Sequence, residues 1–336
     1  MTTASKQEYT RRATHTYPSP NAMRDEVLAG LQAAPKALAP KFFYDATGAA
    51  LFERITQLDA YYLTRSELAI LDARVSEIAA LAGPSAALIE YGSGAGIKVR
   101  SLLDAMDAPA FYVPIDISGE QLERVAATLR DDYPNVDIHP LCADYTRPIT
   151  LPRREQSHRR VAFFPGSTIG NFEPAAAASF LRGVRATVGP TGALILGVDR
   201  RKDRAVVEEA YNDAEGVTAA FNLNLLVRLN RELGANFDLA RFRHKAFFNE
   251  DASRIEMHLE STEAQIVTVA GVPISFDAGE TIWTEASYKY DLPRLERLAH
   301  EGGFRIRQLW TDPEKRFWLG FLEAVDSPMG TAAPRD

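Results

Sequence analysis

The residues best suited to chemistry begin in the stretch IEYGSGAGIK, where glycines recur directly after an acid. Glu90 is followed by Gly92, Gly94 and Gly96. Glycine permits a tight turn and lets the backbone approach a ligand closely, because it carries no Cβ. A dinucleotide-binding fingerprint reads GxGxxG, whereas here Ile97 stands where the third glycine of that pattern belongs. The spacing therefore indicates a nucleoside-binding turn of another kind.

An acid beside this turn favours a ligand whose nearby end is cationic. The ammonium and sulfonium groups of S-adenosylmethionine meet that requirement, and an anionic pyrophosphate does not. Asp116 ends the next apolar segment. Its separation from Glu90 is close to the ~20-residue interval at which a second-strand acid accepts hydrogen bonds from a ribose. Asp144 ends a further segment and is suited to contact an adenine amino group. These acids predict an adenosyl ligand.

The elements that must position these residues alternate between buried strands and helices. We predict strands at Ala86–Ile89, Phe111–Ile117, Val136–Asp144, Val161–Asn171 and Ala193–Val198. We predict helices at Met23–Ala33, Ser66–Leu81, Lys98–Met106, Gln121–Leu129 and Ala176–Val188, and one or two helices over Ala205–Leu233. This alternation predicts an α/β fold, a doubly wound parallel sheet that binds its ligand at the carboxyl ends of its strands.

The hydrophobic period changes to two from Phe242 onward, which is typical of antiparallel strands. The segments HKAFFNED, RIEMHLEST, QIVTVAG and IWTEASYKY follow this pattern, and a helix at Pro293–Gly302 and a hairpin of Arg305–Asp312 with Phe317–Ala324 return to the first sheet. We expect residues 22–64 and 201–289 to form a smaller α+β substrate-binding domain. Residues 65–200 and 290–326 would form the ligand-binding domain, with tails at 1–21 and 327–336.

Composition excludes several classes of function. The net charge of −7 disfavours a nucleic-acid partner, and no apolar run has the length of a membrane span or a secretory signal. The single cysteine, Cys142, excludes an internal disulfide, and the six histidines are scattered without metal-ligand spacing. We expect a cytoplasmic protein without a metal. The charged stretch Arg153–Arg160 is interpreted as a surface loop, and Arg200–Arg204 as a solvated loop or the start of a helix.

Lys41–Arg65 is dense in aromatic residues, most of which we assign to the core. Adjacent side chains on a regular element point in different directions, so at least one of Tyr61 and Tyr62 should face away from the core.

Longer motifs carry a more specific signal than the glycine turn. They are KFFYDATGAALFERITQLDAYYLTRSE, IEYGSGAGIK, YVPIDIS, FFPGSTIGNFEP, AYNDAEGVTAAFNLNLLVRLNREL, FDLARFRHKAFFNEDASRIEMHLES and ETIWTEASYKY. With them the chain resembles the bacterial histidine Nα-methyltransferases of ergothioneine biosynthesis over about residues 35–325. The resemblance implies a class I methyltransferase with a Rossmann-like sheet, and we expect a self-contained two-domain enzyme to be a monomer. It also implies transfer of three methyl groups from S-adenosylmethionine to the α-amine of L-histidine, giving hercynine.

The resemblance also implies roles for individual residues. It assigns the methyl donor to Tyr61, Gly92, Lys98, Asp116, Asp144 and Tyr145. Asn171 and Tyr211 match the residues that fix the α-amino and carboxylate groups, Tyr44, Glu285 and Ser287 match those around the imidazole, and Met257 shapes the same pocket. Tyr44, Tyr61 and Asn171 are the candidates for a catalytic role. The motif departs from the family's usual GSGxSxKT, because Gly96 and Val99 replace two hydroxyl residues.

The reaction needs alignment more than a catalytic group, and no residue stands out as a base. We expect deprotonation of the amine through water or a tyrosine hydroxyl, with the rings of Tyr44 and Tyr61 facing the growing ammonium charge. The alternatives are a methyltransferase for another amino acid such as tryptophan, a nicotinamide-dependent oxidoreductase, and a non-catalytic adenosylmethionine sensor. The acid at Glu285 favours histidine over tryptophan, because a site built to hydrogen-bond a polar ring rejects apolar analogues.

Overall fold

The computed structural model describes residues 20–149, 151 and 158–325. Its strands, numbered along the chain, are β1 (Lys36–Ala37), β2 (Ala87–Tyr91), β3 (Phe111–Asp116), β4 (Asp137–Ile138), β5 (Leu141–Cys142), β6 (Arg160–Phe164), β7 (Ala193–Asp199), β8 (Phe242–Asn249), β9 (Arg254–Ser261), β10 (Gln265–Val269), β11 (Val272–Phe276), β12 (Thr281–Tyr288), β13 (Phe304–Thr311) and β14 (Phe317–Ala324). Its helices are α1 (Pro20–Gln32), α2 (Ala46–Gln57), α3 (Tyr62–Ala82), α4 (Ile97–Ala105), α5 (Gly119–Asp132), α6 (Pro174–Val188), α7 (Arg204–Glu209), α8 (Val217–Leu233) and α9 (Leu292–Glu301). Short 3₁₀ turns lie at Pro40–Phe43, Thr168–Asn171 and Leu239–Arg241.

A large mixed sheet forms the centre of the fold, in the order β13-β14-β7-β6-β2-β3-β4, with β5 also paired to β3. The strands from β2 to β7 pair in parallel, and their central members are buried along nearly their whole length. Continuous apolar strands of this kind need helices on both faces of the sheet. The predicted α/β fold is confirmed, as is the closing hairpin, because β14 runs antiparallel to β7 and β13 to β14.

A second sheet has the order β1-β12-β9-β8, and β10 and β11 form a separate two-stranded sheet. Strands β8, β9 and β12 pair antiparallel, as their period of two predicts. The short strand β1 instead runs parallel to β12 and brings the segment after α1 to this sheet. The chain therefore carries two distinct sheets, and the loop that contains Asn171 lies between them.

Several predicted boundaries were wrong for local physical reasons. The strand predicted at Val136–Asp144 is two short strands, since Pro140 supplies no N–H to the ladder. Within Val161–Asn171, by contrast, the strand ends at Phe164 and gives way to the Pro-Gly-Ser-Thr turn that the sequence predicts, after which a 3₁₀ turn follows. Helix α1 begins at Pro20, inside the tail predicted at 1–21, because proline is favoured in a first helical turn.

Other predictions fall partly outside the described part of the chain. These are residues 1–19 and 327–336 of the two tails and residues 153–157 of the loop predicted at 153–160, which lie outside the described residues. Arg160, the last residue assigned to that loop, is the first residue of β6. Over 205–233 the chain forms the two helices α7 and α8, which are separated by a turn that ends at Gly216 with φ of 71°.

Among residues 20–149, 151 and 158–325, none of the helices combines the length and the apolarity needed to cross a membrane. The same residues contain no cluster of three or more histidine, cysteine, aspartate or glutamate side chains arranged to hold a metal ion.

Candidate active site

The glycine turn lies at the carboxyl end of β2, where the structure brings it against the acid of the neighbouring strand. Gly92, Gly94 and Gly96 have φ of 73°, 50° and 67°, the left-handed region that favours glycine. The Asp116 carboxylate accepts hydrogen bonds from the backbone N–H groups of Gly94 at 3.1 Å and Ser118 at 2.9 Å. Burial raises the pKa of Asp116. The predicted turn and acid therefore form one unit.

Asp144 and Tyr145 follow β5 at the same edge of the sheet. A Cβ placed on Gly92 would lie 3.7 Å from the ring of Tyr145, so the absence of a side chain leaves room beside this ring. One oxygen of Asp144 accepts from the backbone N–H of Thr146 at 3.0 Å, and the other lies 3.8 Å from Lys41 Nζ. Both predicted residues thus lie next to the glycine turn.

Lys98 enters from the first turn of α4 and is paired with a buried carboxylate. Its Nζ lies 2.5 Å from Oε2 of Glu67, whose side chain is fully buried. The same carboxylate accepts from the backbone N–H of Gly166, at 2.9 Å from Oε2. Glu67 therefore joins α3, α4 and the turn after β6, and the sequence analysis missed it because it lies within a regular helical pattern.

Glu90 has an internal partner that the sequence did not reveal. Its side chain is buried and accepts a hydrogen bond from the hydroxyl of Tyr112 on the adjacent strand. Burial raises the pKa of Glu90 to about 8, although Tyr112 and Lys98 oppose the change. The acid before the glycines thus forms part of the core rather than an open acceptor for the cationic end of a ligand.

A cavity of about 420 Å³ lies beside β12 of the second sheet, against α1 and the 3₁₀ turn that ends at Asn171. Its lining includes Asn171 from the 3₁₀ turn and Glu285 and Ala286 from β12, together with residues of α1 and of the segment that follows β1. A β-bulge between Trp283 and Glu285 shifts the register of β12 against β9. Bulges re-aim side chains and are common beside active sites. The bulge sets the position from which Glu285 reaches the cavity.

Glu285 is half-buried among tyrosine side chains. Burial raises its pKa to about 7, against the opposing effect of Lys289. Burial, and then the charge of Glu285, in turn raise the pKa of Tyr44 well above its ordinary value. Burial is also the main cause of the raised pKa of Tyr61 and Tyr211, with Glu285 a further contributor to both. The structure therefore gathers this acid and three predicted tyrosines.

The aromatic side chains form a connected series beside Glu285. Tyr44 packs edge-on against Phe52 with ring centroids 5.8 Å apart, Phe52 lies 6.3 Å from Tyr61, and Tyr61 lies 6.2 Å from Tyr211. The expectation that Tyr61 or Tyr62 faces away from the core was wrong, because both are buried. They point to different groups, since the Tyr62 hydroxyl donates to Asp199 at 2.8 Å.

The remaining predicted substrate residues lie on the same sheet. Met257 pairs with Glu285 across the β9–β12 ladder and is buried. The hydroxyl of Tyr211 donates to Ser287 Oγ at 2.9 Å, and both side chains are buried. Ser287 is two residues after Glu285, so the two share a face of β12. The predicted substrate residues thus converge, although they are spread between Tyr44 and Ser287 in the chain.

Behind this face lies a buried charge cluster that sequence reasoning missed. Asp199, fully buried at the end of β7, pairs with Lys289 at 2.8 Å and with Lys202 at 2.5 Å. Burial alone would raise the pKa of Asp199, and the two ammonium groups lower it. The interpretation of Arg200–Arg204 as a solvated loop was wrong for Lys202, whose side chain is only 11% exposed. The available signal was an acid that ends a buried strand.

Four polar groups at the cavity or near Glu285 have unused hydrogen-bonding capacity. Within the described part of the chain, no side-chain hydrogen bond or ion pair engages the hydroxyls of Tyr44 and Tyr61, the amide of Asn171 or the carboxylate of Glu285. Donors and acceptors that converge on a cavity without internal partners are suited to bind a polar ligand.

Comparison with known proteins agrees with this geometry. The family described as "Histidine-specific methyltransferase, SAM-dependent" matches residues 23–324. The chain belongs to this family. The resemblance and the enzyme class expected from sequence are thereby confirmed.

Two of the individual relatives are named as histidine methyltransferases. Histidine N-alpha-methyltransferase of Mycolicibacterium smegmatis is 45% identical over 89% of this chain and 94% of its own length. The protein of the same name from Mycobacterium tuberculosis is 42% identical, again over 89% and 94%. Ergothioneine biosynthesis protein 1 of Neurospora crassa is 33% identical over 82% of this chain, which corresponds to 32% of that longer protein.

Proposed function

We propose that this protein transfers three methyl groups from S-adenosylmethionine to the α-amino group of L-histidine and so forms hercynine for ergothioneine biosynthesis. Membership of a histidine-specific, S-adenosylmethionine-dependent family supports the reaction class and the donor. The observation that carries the choice of substrate is Glu285, an acid that lines the cavity and whose carboxylate has no side-chain partner among the described residues. Its carboxylate is an acceptor for an imidazole N–H, and its charge complements a ring that can take up a proton, whereas the indole of tryptophan stays neutral.

The residues around the glycine turn fit an adenosyl group. The left-handed turn leaves the backbone uncovered beside Tyr145, and two N–H groups hold Asp116 in place as an acceptor for ribose hydroxyls. We assign donor binding to Tyr61, Gly92, Lys98, Asp116, Asp144 and Tyr145. When bound, S-adenosylmethionine supplies an electrophilic methyl group.

The residues on the other side of the cavity would bind and orient the amino acid. We assign the imidazole to Glu285, Tyr44 and Ser287, with Met257 packed beneath it, and the α-amino and carboxylate groups to Asn171 and Tyr211. Alignment of the amine with the methyl group is the main catalytic contribution, since a well-oriented pair reaches effective molarities of ~10⁵–10⁸ M. Residues 22–64 and 201–289 would then act as the substrate-binding domain.

The amine must be deprotonated before each transfer. The raised pKa values of Tyr44, Tyr61 and Tyr211 keep these hydroxyls protonated near neutral pH, so they are poor proton acceptors. We therefore assign proton removal to water and keep the tyrosine rings as faces for the ammonium charge.

The test is a substrate screen with the purified protein. It is incubated with S-adenosylmethionine carrying a labelled methyl group and, separately, with each standard amino acid. Products are separated by mass spectrometry. We expect mono-, di- and trimethylated histidine and no labelled product from the other amino acids. Labelling of tryptophan without labelling of histidine would overturn the assignment.

A further inference from the structure

Lys289 is a fully buried lysine that directly follows β12, the strand that carries Glu285 and Ser287. It continues the alternation of Glu285 and Ser287, so the three residues lie on one side of the strand and its extension. Its Nζ contacts three acceptors, namely Asp199 Oδ2 at 2.8 Å, Ser287 Oγ at 2.9 Å and Tyr211 Oη at 3.2 Å. An ammonium group has three N–H donors and no acceptor. All three donors therefore have a partner inside the protein.

The three contacts determine how the hydroxyls of Tyr211 and Ser287 can be used. Each hydroxyl accepts one N–H from Lys289, and the two are bonded to each other at 2.9 Å. That bond consumes one of their two O–H protons, whichever hydroxyl donates. The other proton remains, and within the described residues no further acceptor receives it. The pair therefore offers one O–H donor.

The charge behind this pair is positive. Lys289 and Lys202 share the single carboxylate of Asp199, so the three groups carry one excess positive charge when all are ionised. Interactions between charges are strong in such a buried setting, because little water screens them. A hydroxyl donor backed by an excess ammonium charge best complements an anionic acceptor. For an amino-acid substrate that acceptor is the α-carboxylate.

We propose that Lys289 is a positioning residue that fixes the Tyr211–Ser287 hydroxyl pair, with Tyr211 rotated to donate its O–H to the α-carboxylate of the amino-acid substrate and Ser287 donating to Tyr211 beside the imidazole. This inference rests on the proposed function only in taking the substrate to be an amino acid. In this role Lys289 contacts neither the methyl donor nor the substrate directly. It acts through the two hydroxyls. It thereby selects amino acids over the corresponding amines.

The experiment compares L-histidine with histamine, which lacks only the carboxylate, in the wild-type protein and in Lys289→Met. Steady-state rates are measured for both compounds, and histamine is measured as a competitive inhibitor if it is not methylated. We expect Lys289→Met to raise KM for L-histidine about 10- to 100-fold, the range for a charge-assisted hydrogen bond. The constant for histamine should change clearly less, because only the imidazole contact of Ser287 is disturbed, and the KM for S-adenosylmethionine should stay within about twofold. Equal losses for both compounds would overturn the proposal.

Lys202→Met is the matched control. It removes the other ammonium group that pairs with Asp199. Apart from Asp199, Lys202 Nζ contacts the Tyr62 hydroxyl and the Arg200 carbonyl, and it does not contact the Tyr211–Ser287 pair. We expect this variant to reduce the preference for L-histidine over histamine far less than Lys289→Met does, because Lys289 still contacts both hydroxyls. A loss of preference equal to that of Lys289→Met would assign the effect to buried charge in general and would contradict the positioning role.

A double-mutant cycle tests whether Lys289 acts through the hydroxyls. If it does, the effects of Lys289→Met and Ser287→Ala on KM for L-histidine should be clearly non-additive in the double variant, whereas additive effects would overturn the proposal. If Lys289→Met does not fold, Lys289→Gln keeps an N–H donor without the charge and enters the same comparison. Wild-type turnover of L-histidine tests the proposed function separately. If the wild-type protein accepts another amino acid instead, that amino acid and its decarboxylated amine replace this pair of compounds.

Discussion

Glu285 has a protonation state that matters near neutral pH. Its pKa is raised to about 7, mainly by burial, and no described side chain binds its carboxylate. Only the ionised carboxylate is a pure acceptor, so protonation removes capacity to accept an imidazole N–H. This residue makes substrate affinity sensitive to pH.

We expect KM for L-histidine to rise as pH falls below 7, approaching tenfold per pH unit once Glu285 is largely protonated. The measurement is KM between pH 6 and 8 for the wild-type protein and for Glu285→Gln. The variant should raise KM at pH 8 about 10- to 100-fold. The imidazole of free histidine titrates in both experiments, so the difference between the two profiles reports Glu285. Parallel profiles would refute this role.

At the scale of elements, the 3₁₀ turn Thr168–Asn171 positions Asn171 against the second sheet. It passes so close to β12 that a Cβ on Gly170 would lie 2.9 Å from the Tyr288 carbonyl oxygen and 3.1 Å from its nitrogen. Both contacts are with backbone, which cannot rotate away. Glycine at this position therefore permits the approach of the turn that carries a predicted catalytic residue.

Gly170→Ala should push this turn away from β12. We expect a loss of about 1–3 kcal/mol in the free energy of unfolding, measured in urea, and a higher KM for L-histidine. The control is Gly183→Ala in α6, where an added Cβ meets nothing within 4 Å. Replacing that helical glycine should stabilise the protein by roughly 0.5–1 kcal/mol and leave KM unchanged. Equal behaviour of the two variants would show that the close approach is unimportant.

At the scale of the whole molecule, ion pairs tie together segments that are distant in sequence. Glu67 and Lys98 connect α3, α4 and the turn after β6, and the Glu67 carboxylate is fully buried. Lys41 links α1 to the loop after β5 through Glu26 at 2.8 Å and Asp144 at 3.8 Å, and the Glu26 side chain is 43% exposed. The two ion pairs therefore differ chiefly in how accessible to water the carboxylate of Glu67 or Glu26 would be once its lysine is removed.

We expect Lys98→Met to lower the free energy of unfolding by about 3–5 kcal/mol, because it leaves a buried carboxylate without its cation. Lys41→Met should cost about 0–1 kcal/mol, as is usual for exposed pairs. Urea unfolding of the two variants without ligands provides the comparison, and it is independent of any role of Lys98 in donor binding. Similar losses of unfolding free energy in both variants would contradict this prediction, because they would mean that the Glu67 carboxylate finds another partner or is reached by water. A monomeric state and a cytoplasmic location remain predictions from sequence.

The sequence by itself determined the α/β fold, the glycine turn with Asp116 and the family. These depend on local patterns, because hydrophobic periodicity and glycine spacing are written in consecutive residues. The motifs also led to the set of tyrosines around Glu285, through resemblance rather than through periodicity.

Only the tertiary structure decided which polar groups are already satisfied and which are free to bind a ligand. Glu90 proved to be paired with Tyr112 and Lys202 with Asp199, whereas Glu285 has no such partner. The bulge in β12 and the contact of Lys289 with Asp199 join residues from strands far apart in the chain. Hydrogen bonding and burial arise from these long-range contacts, and no local pattern of residues encodes them.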